Sequence, residues 1–244
     1  MQVNNGKAMP DIYNDDTYLA NNPNWHEEDG PFKTGKIITL LQSNKIPLNT
    51  VCEVGCGSGE ILVLLGKSMP EITSLIGYDI SAQAIKIATQ KETDKIKFAR
   101  KDITDASDNS FFDLLLVIDV IEHIENYFAF IRSIANKSSH TIFHIPLDMS
   151  VWSLFREKML IESKKRVGHI HNFTEEFILS ILEDNGFTII DKMYTEPTFE
   201  VINTKQKIVN GARKLVFRIN QRFCSKTLGG YSILVLAKNQ PKVL

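Results

Sequence analysis

Cysteine is scarce in this chain. The three present, Cys52, Cys56 and Cys224, match neither a disulfide framework nor a thiolate metal site, and two of them fall in a strand-and-turn stretch. The expectation is a reduced, cytoplasmic protein. Long uncharged apolar runs are missing too, as is the pattern of a signal peptide, so neither membrane spanning nor secretion is expected. There is no excess of either charge. With 28 Lys+Arg against 29 Asp+Glu the net charge is −1, which excludes a general nucleic-acid binder and leaves local basic patches open. Internal repeats and low-complexity tracts are absent as well. What remains is a chain of 244 residues, 43% hydrophobic, able to bury one substantial core with an appendage.

The informative stretch is Val51-Cys52-Glu53-Val54-Gly55-Cys56-Gly57-Ser58-Gly59-Glu60, followed by the apolar run Ile61 to Leu65. A strand ending in a glycine-dense turn that opens a helix lets a nucleotide-like ligand approach bare backbone. A dinucleotide fingerprint would need a small residue where Glu60 stands, and a carboxylate there would oppose a pyrophosphate. NAD and FAD are therefore disfavoured. The run reads instead as E-x-G-x-G-x-G, with Glu53 just before the first glycine.

That pattern resembles motif I of the class I S-adenosylmethionine-dependent methyltransferases. Their cofactor carries a sulfonium and an ammonium and no phosphate, so acids beside the glycines suit its charge. The resemblance implies an α/β fold: a Rossmann-like, doubly wound sheet, mostly parallel with an antiparallel last strand, helices on both faces. It also implies a cofactor site at Glu53, Gly55, Cys56, Gly57 and Gly59. A second strand ends in Tyr78-Asp79-Ile80, about twenty residues past the loop, where Asp79 can accept from both ribose hydroxyls. A third ends in Asp102-Ile103; by resemblance the acid meets the adenine amino group and Ile103 flanks the ring.

The fourth strand, Phe112 to Ile118, is a continuous apolar run of the kind a central strand buried on both faces needs. Asp119-Val120-Ile121-Glu122-His123 follows and resembles motif IV, particularly of the ubiquinone-type O-methyltransferase branch. The resemblance sets Asp119 and Val120 near the methionine end of the cofactor and His123 near the acceptor. On residues alone, Glu122 and His123 can also be read as merely capping a helix. Gly168-His169-Ile170-His171-Asn172-Phe173-Thr174 resembles the same branch and implies histidines facing the cleft opposite His123, with Thr174 capping the next helix. Packing roles for His169 and His171 stay open. One departure is the turn before the fifth strand, where Asn136-Lys137-Ser138-Ser139-His140 replaces the family's glycine pair.

The ends are read more loosely. Residues 1–35 are polar but dotted with Tyr13, Tyr18, Trp25 and His26, and are expected to form a lid or a pinned tail. Within them Lys33 is assigned, by resemblance, to the methionine carboxylate. Residues 36–244 form the cofactor-binding domain, with helical insertions at about 147–168, laid over the pocket rim, and 200–226. Both insertions mix apolar and basic residues, which allows peripheral membrane contact as well as a solvated basic side.

The expected activity is transfer of a methyl group from S-adenosylmethionine, leaving S-adenosylhomocysteine, to an oxygen or nitrogen of a small-molecule, quinone or glycan and lipid-linked acceptor. His123 is the first choice of proton acceptor, with His169 and His171 behind it. Asp119-x-x-Glu122-His123 with a later histidine also resembles the divalent-metal site of some RNA 3′-end and quinone methyltransferases. Those families show Glu where Asp119 stands, which weakens the match, so no metal ligand is assigned and the question of a divalent metal at Asp119, Glu122 and His123 stays open. The rival classes are a silent cofactor-binding module and an NAD-dependent oxidoreductase. Oligomeric state leaves no mark in the sequence.

Overall fold

The computed structural model describes residues 27–105, 107–196 and 204–240. A short 3-10 turn leads into α1 (Gly30–Ser43), and then strands and helices alternate: β1 (Thr50–Val54), α2 (Glu60–Ser68), β2 (Ser74–Asp79), α3 (Ala82–Ala88), β3 (Ile96–Arg100), β4 (Phe112–Ile118), α4 (Tyr127–Ile134) and β5 (Ser138–Pro146). Two further helices, α5 (Val151–Leu154) and α6 (Glu157–Val167), precede α7 (Glu175–Asp184) and β6 (Phe187–Thr195). The chain continues through α8 (Thr204–Ile219) and α9 (Gln221–Leu228) into β7 (Ser232–Asn239).

These strands form one seven-stranded sheet in the order β3-β2-β1-β4-β5-β7-β6. β1 to β5 are parallel, and β7 runs antiparallel to both β5 and β6. The expected doubly wound sheet with an antiparallel last strand is the observed one. Its two faces follow from the period-two alternation of buried strand residues. Val51, Leu114, Leu116, Ile142, Leu234 and Leu236 pack under α1 and α2; Cys52, Leu115, Val117, Phe143, Ile233 and Val235 pack under α4 and α7. Among the described residues no helix is long and apolar enough to cross a membrane.

Several boundaries differ from the sequence reading. The boundary drawn at residue 35 falls inside α1, which begins at Gly30 because Pro31 in its first turn is compatible with helix. The tail aromatics Tyr13, Tyr18, Trp25 and His26 lie outside the described residues. β5 starts at Ser138, so no free-standing turn replaces the glycine pair: Phe112 N donates to the Lys137 carbonyl and the ammonium of Lys137 reaches the Asp108 carbonyl. Thr174 sits at the N-cap of α7 without a side-chain cap bond. The helical insertion expected at about 200–226 is broken at Asn220, whose Oδ1 accepts from Phe223 N at 2.9 Å and starts α9 anew.

Candidate active site

At the C-terminal ends of β1, β2 and β4, where an open α/β sheet changes winding direction, lies a cavity of about 730 Å³. The glycine turn is its floor. Gly55, Gly57 and Gly59 have φ of +69°, +53° and +77°. Gly55 N and Cys56 N both donate to the Tyr78 carbonyl, at 2.8 and 3.1 Å, which ties the turn to the end of β2. Gly59 faces away from the cavity: a Cβ there would lie 2.4 Å from the Phe98 ring.

Acids surround this floor. Asp79 accepts from Gly57 N at 2.9 Å through one oxygen and from Ser81 N at 2.8 Å through the other, which fixes the carboxylate. Burial raises its pKa above the usual value despite those bonds. Glu53 is buried, with Oε2 unpartnered; burial pushes its carboxyl well up, the Lys33 charge opposing and the Asp79 charge adding. A buried acceptor of this kind is satisfied by a cationic donor entering the cavity.

Asp119 ends β4 with φ +53°, an uncommon conformation for a residue with a side chain. Two partners hold it: Lys33 Nζ at 2.8 Å and His144 Nδ1 at 2.6 Å, and His144 Nε2 in turn meets Thr195 Oγ1 at 2.7 Å. Burial would raise the Asp119 pKa, but the His144 and Lys33 charges bring it below the carboxylate range. Lys33 is held above its ordinary value by Asp119, Asp29 and Glu122 against the opposing effect of burial.

Beyond Asp119 the single 3-10 turn Ile121–His123 replaces the helix read from sequence, and Glu122 is fully buried instead of capping at the rim. Neither of its carboxylate oxygens has a hydrogen-bond partner. Glu122 Oε1 lies 3.9 Å from His123 Nε2 and 4.0 Å from His169 Nε2, and the two rings meet edge to face at 5.1 Å. Each imidazole is oriented from behind: His123 Nδ1 donates to the Gly168 carbonyl at 3.1 Å, and His169 Nδ1 to Asp148 Oδ2 at 2.6 Å. In a neutral ring these bonds place the proton on Nδ1 and the lone pair on Nε2. Three ligand atoms within 4.8 Å of one another, each histidine braced by a carbonyl or carboxylate, form a donor set that fits a divalent cation.

The residues expected at the cofactor site are thus largely brought together. Lys33, Glu53, Gly55, Cys56, Gly57, Asp79, Ile80, Asp102, Ile103, Asp119, Val120 and His123 line one cavity, whereas Gly59, His169 and His171 do not. His169 joins His123 through Glu122. His171 is separate, its Nε2 donating to the Ile124 carbonyl at 3.0 Å and its ring against Tyr127 and Phe173. Asp102 is occupied locally, accepting from Thr104 N and Oγ1 at 2.8 and 2.7 Å. The insertion expected over the rim contributes none of the lining residues. Sequence reading missed the braces His144, Thr195 and Asp148; an acid two residues past Pro146, opposite a later histidine, was the available signal.

Comparison with known proteins agrees with this geometry. The profile of a methyltransferase-domain family matches residues 25–192. The ubiquinone biosynthesis O-methyltransferase of Rickettsia typhi is 25% identical over 122 residues, covering 46% of this chain and 50% of that protein. The chain therefore spans about half the length of the curated relatives it matches. Magnesium protoporphyrin IX methyltransferase from Synechocystis PCC 6803, solved with bound S-adenosylhomocysteine, superposes with a TM-score of 0.59 at 20% identity, over 88% of this chain and 84% of that one. The N-methyltransferase NodS of Bradyrhizobium japonicum WM9, also with S-adenosylhomocysteine, gives 0.59 at 18% identity, over 92% and 99%. At these identities the two structures speak for the fold alone. With the family match over most of the chain, the oxidoreductase and silent-module readings have no support, and the protein belongs to the class I S-adenosylmethionine-dependent methyltransferases.

Proposed function

We propose that this enzyme methylates a hydroxyl oxygen of a small aromatic or quinone-type acceptor held against the Glu122, His123 and His169 cluster. The observation that carries this reading is the junction of that cluster with the cavity through His123. A hydroxyl must lose its proton as the methyl group is accepted, and an oriented imidazole lone pair at the cavity wall is placed to take it. The relatives named as O-methyltransferases support an oxygen acceptor.

S-adenosylmethionine supplies, when bound, a methyl carbon already activated for in-line displacement. Asp79 would hold the ribose, Glu53 the ammonium, Lys33 the carboxylate, and Asp102 with Ile103 the adenine. The chain's contribution is then mainly orientation and exclusion of water. Isothermal titration with S-adenosylhomocysteine tests the cofactor residues: micromolar affinity is expected, weakened by about a hundredfold in Asp79→Ala for two lost bonds to a charged acceptor. A conservative Asp79→Asn and a melting curve control for the loop. Equal affinity in wild type and Asp79→Ala would remove Asp79 from the site. Methylation of a catechol but not of a matched aromatic amine would favour oxygen, and the reverse would refute it.

A second reading concerns a metal. Glu122, His123 and His169 would hold a divalent cation, supplying acidification of a bound hydroxyl. The two unpartnered oxygens of buried Glu122 favour it. Zinc or manganese should bind the purified protein stoichiometrically and be lost in His169→Ala with S-adenosylhomocysteine affinity intact. EDTA-insensitive turnover with no metal on mass analysis would sink this reading and leave His123 as the proton acceptor.

A further inference from the structure

The end of the molecule that follows β5 departs from the rest in both polarity and charge. α6 buries no residue at all, although its sequence is amphipathic. Trp152, Leu154, Phe155 and Ile161 are exposed on α5, α6 and the junction between them, Phe155 to 83%. α9 packs against α5, and Gly229 just beyond it comes so close that a Cβ would lie 2.5 Å from the Ser150 hydroxyl. On these adjoining helices Ile219, at 78%, and Phe223 are exposed as well. Single exposed apolar residues are ordinary; a set of them on neighbouring helices, one of which has no fully buried residue, marks a contact surface.

Its charge says what the contact is. Residues 151–167 carry five Lys and Arg against two Glu, and α8 with α9 carries seven against none. The other residues hold 16 basic against 27 acidic side chains, so the near-neutral total hides a strongly divided molecule. Glu176 offsets part of this by pairing with Lys226 at 2.8 Å and with Arg222, and the excess remains. Lysines predominate on α6, where Lys158, Lys164 and Lys165 are exposed. Lysine is depleted in protein interfaces, whereas lysine and arginine beside exposed aromatic and aliphatic residues are what an anionic headgroup layer takes.

We infer that this face docks on an anionic lipid bilayer, with α5 and α6 and the exposed side of α8 and α9 lying in the headgroup plane. Asp148, which braces His169, stands just before α5, so the docked face adjoins the acceptor side of the active site. The inference does not depend on which atom is methylated.

Flotation of the full chain with vesicles tests it. Vesicles of phosphatidylcholine mixed with phosphatidylglycerol should carry the protein at low salt and release it as salt rises, and pure phosphatidylcholine should not carry it. Phe155→Ser with Ile161→Ser should weaken partitioning by roughly tenfold or more. Lys164→Glu with Lys165→Glu should weaken it by about fivefold or more per site. Both double variants should keep the melting temperature and S-adenosylhomocysteine affinity of the wild type. No flotation, equal flotation on neutral vesicles, or variants that float like wild type would overturn the inference. So would concentration-dependent self-association abolished by Phe155→Ser in a protein that ignores vesicles, because a second copy would then be the occupant.

Discussion

Gly59 shows how one position can satisfy two constraints. Its φ of +77° opens α2 from the cofactor turn, and the space where a side chain would begin is filled by the Phe98 ring at 2.4 Å. Gly59→Ala therefore meets backbone strain and overpacking together, and should cost about 2 to 4 kcal/mol in urea denaturation. Gly35 is the control. It lies within α1 with nothing near its Cβ position, so Gly35→Ala should stabilise by about 0.5 to 1 kcal/mol. If Gly59→Ala is as mild as Gly35→Ala, the turn is not held by Phe98. The glycine pattern was readable from sequence, yet the reason for its last member was not, because Phe98 belongs to another strand. Asp119 is a similar case: its position after an apolar run was legible, whereas its pairing with Lys33 and His144 depends on how α1 and β5 dock.

Between elements, the joint of α7 with β6 is electrostatic. Glu175, buried at the start of α7, accepts from Lys192 Nζ at 2.6 Å and from the Tyr194 hydroxyl, both on β6. Burial alone would raise its pKa; the bonds from Lys192 and Tyr194 overcome it and leave the carboxyl below its usual value. A carboxyl lowered on folding stabilises the native state above its unfolded pKa, near 4.3, and that contribution disappears as pH falls through the folded value. Glu175→Gln should thus lose about 1 to 2 kcal/mol at pH 7, with the gap to wild type closing in acid. A gap that stays constant between neutral pH and about pH 3 would assign the effect to packing instead. Strands were the legible elements here, since β1, β4 and β7 are apolar runs buried on both faces. Amphipathic helices were not: the pattern of α6 shows an apolar stripe without showing what it faces, and the cofactor cavity turned out not to be the answer.

Across the whole molecule, the mostly parallel sheet with its antiparallel last strand followed from the family resemblance, and the placing of acids at strand ends from the motifs that carry it. Charge distribution did not, because a net charge of −1 averages over two unlike ends. The metal-fitting cluster lay between these cases, its residues visible in the sequence and its convergence set by where the loop after α6 returns to the turn after β4. One consequence of the sheet order concerns biosynthesis. β7, which follows the other six strands of this sheet in chain order, is the one that separates β5 from β6. A nascent chain can assemble β1 to β5 as it emerges, yet β6 then has no hydrogen-bonding neighbour and β5 keeps an open edge until β7 arrives. Completion of the sheet is therefore non-local, and the growing polypeptide carries an unpaired sheet edge, the feature most prone to mispairing, until β7 has been made.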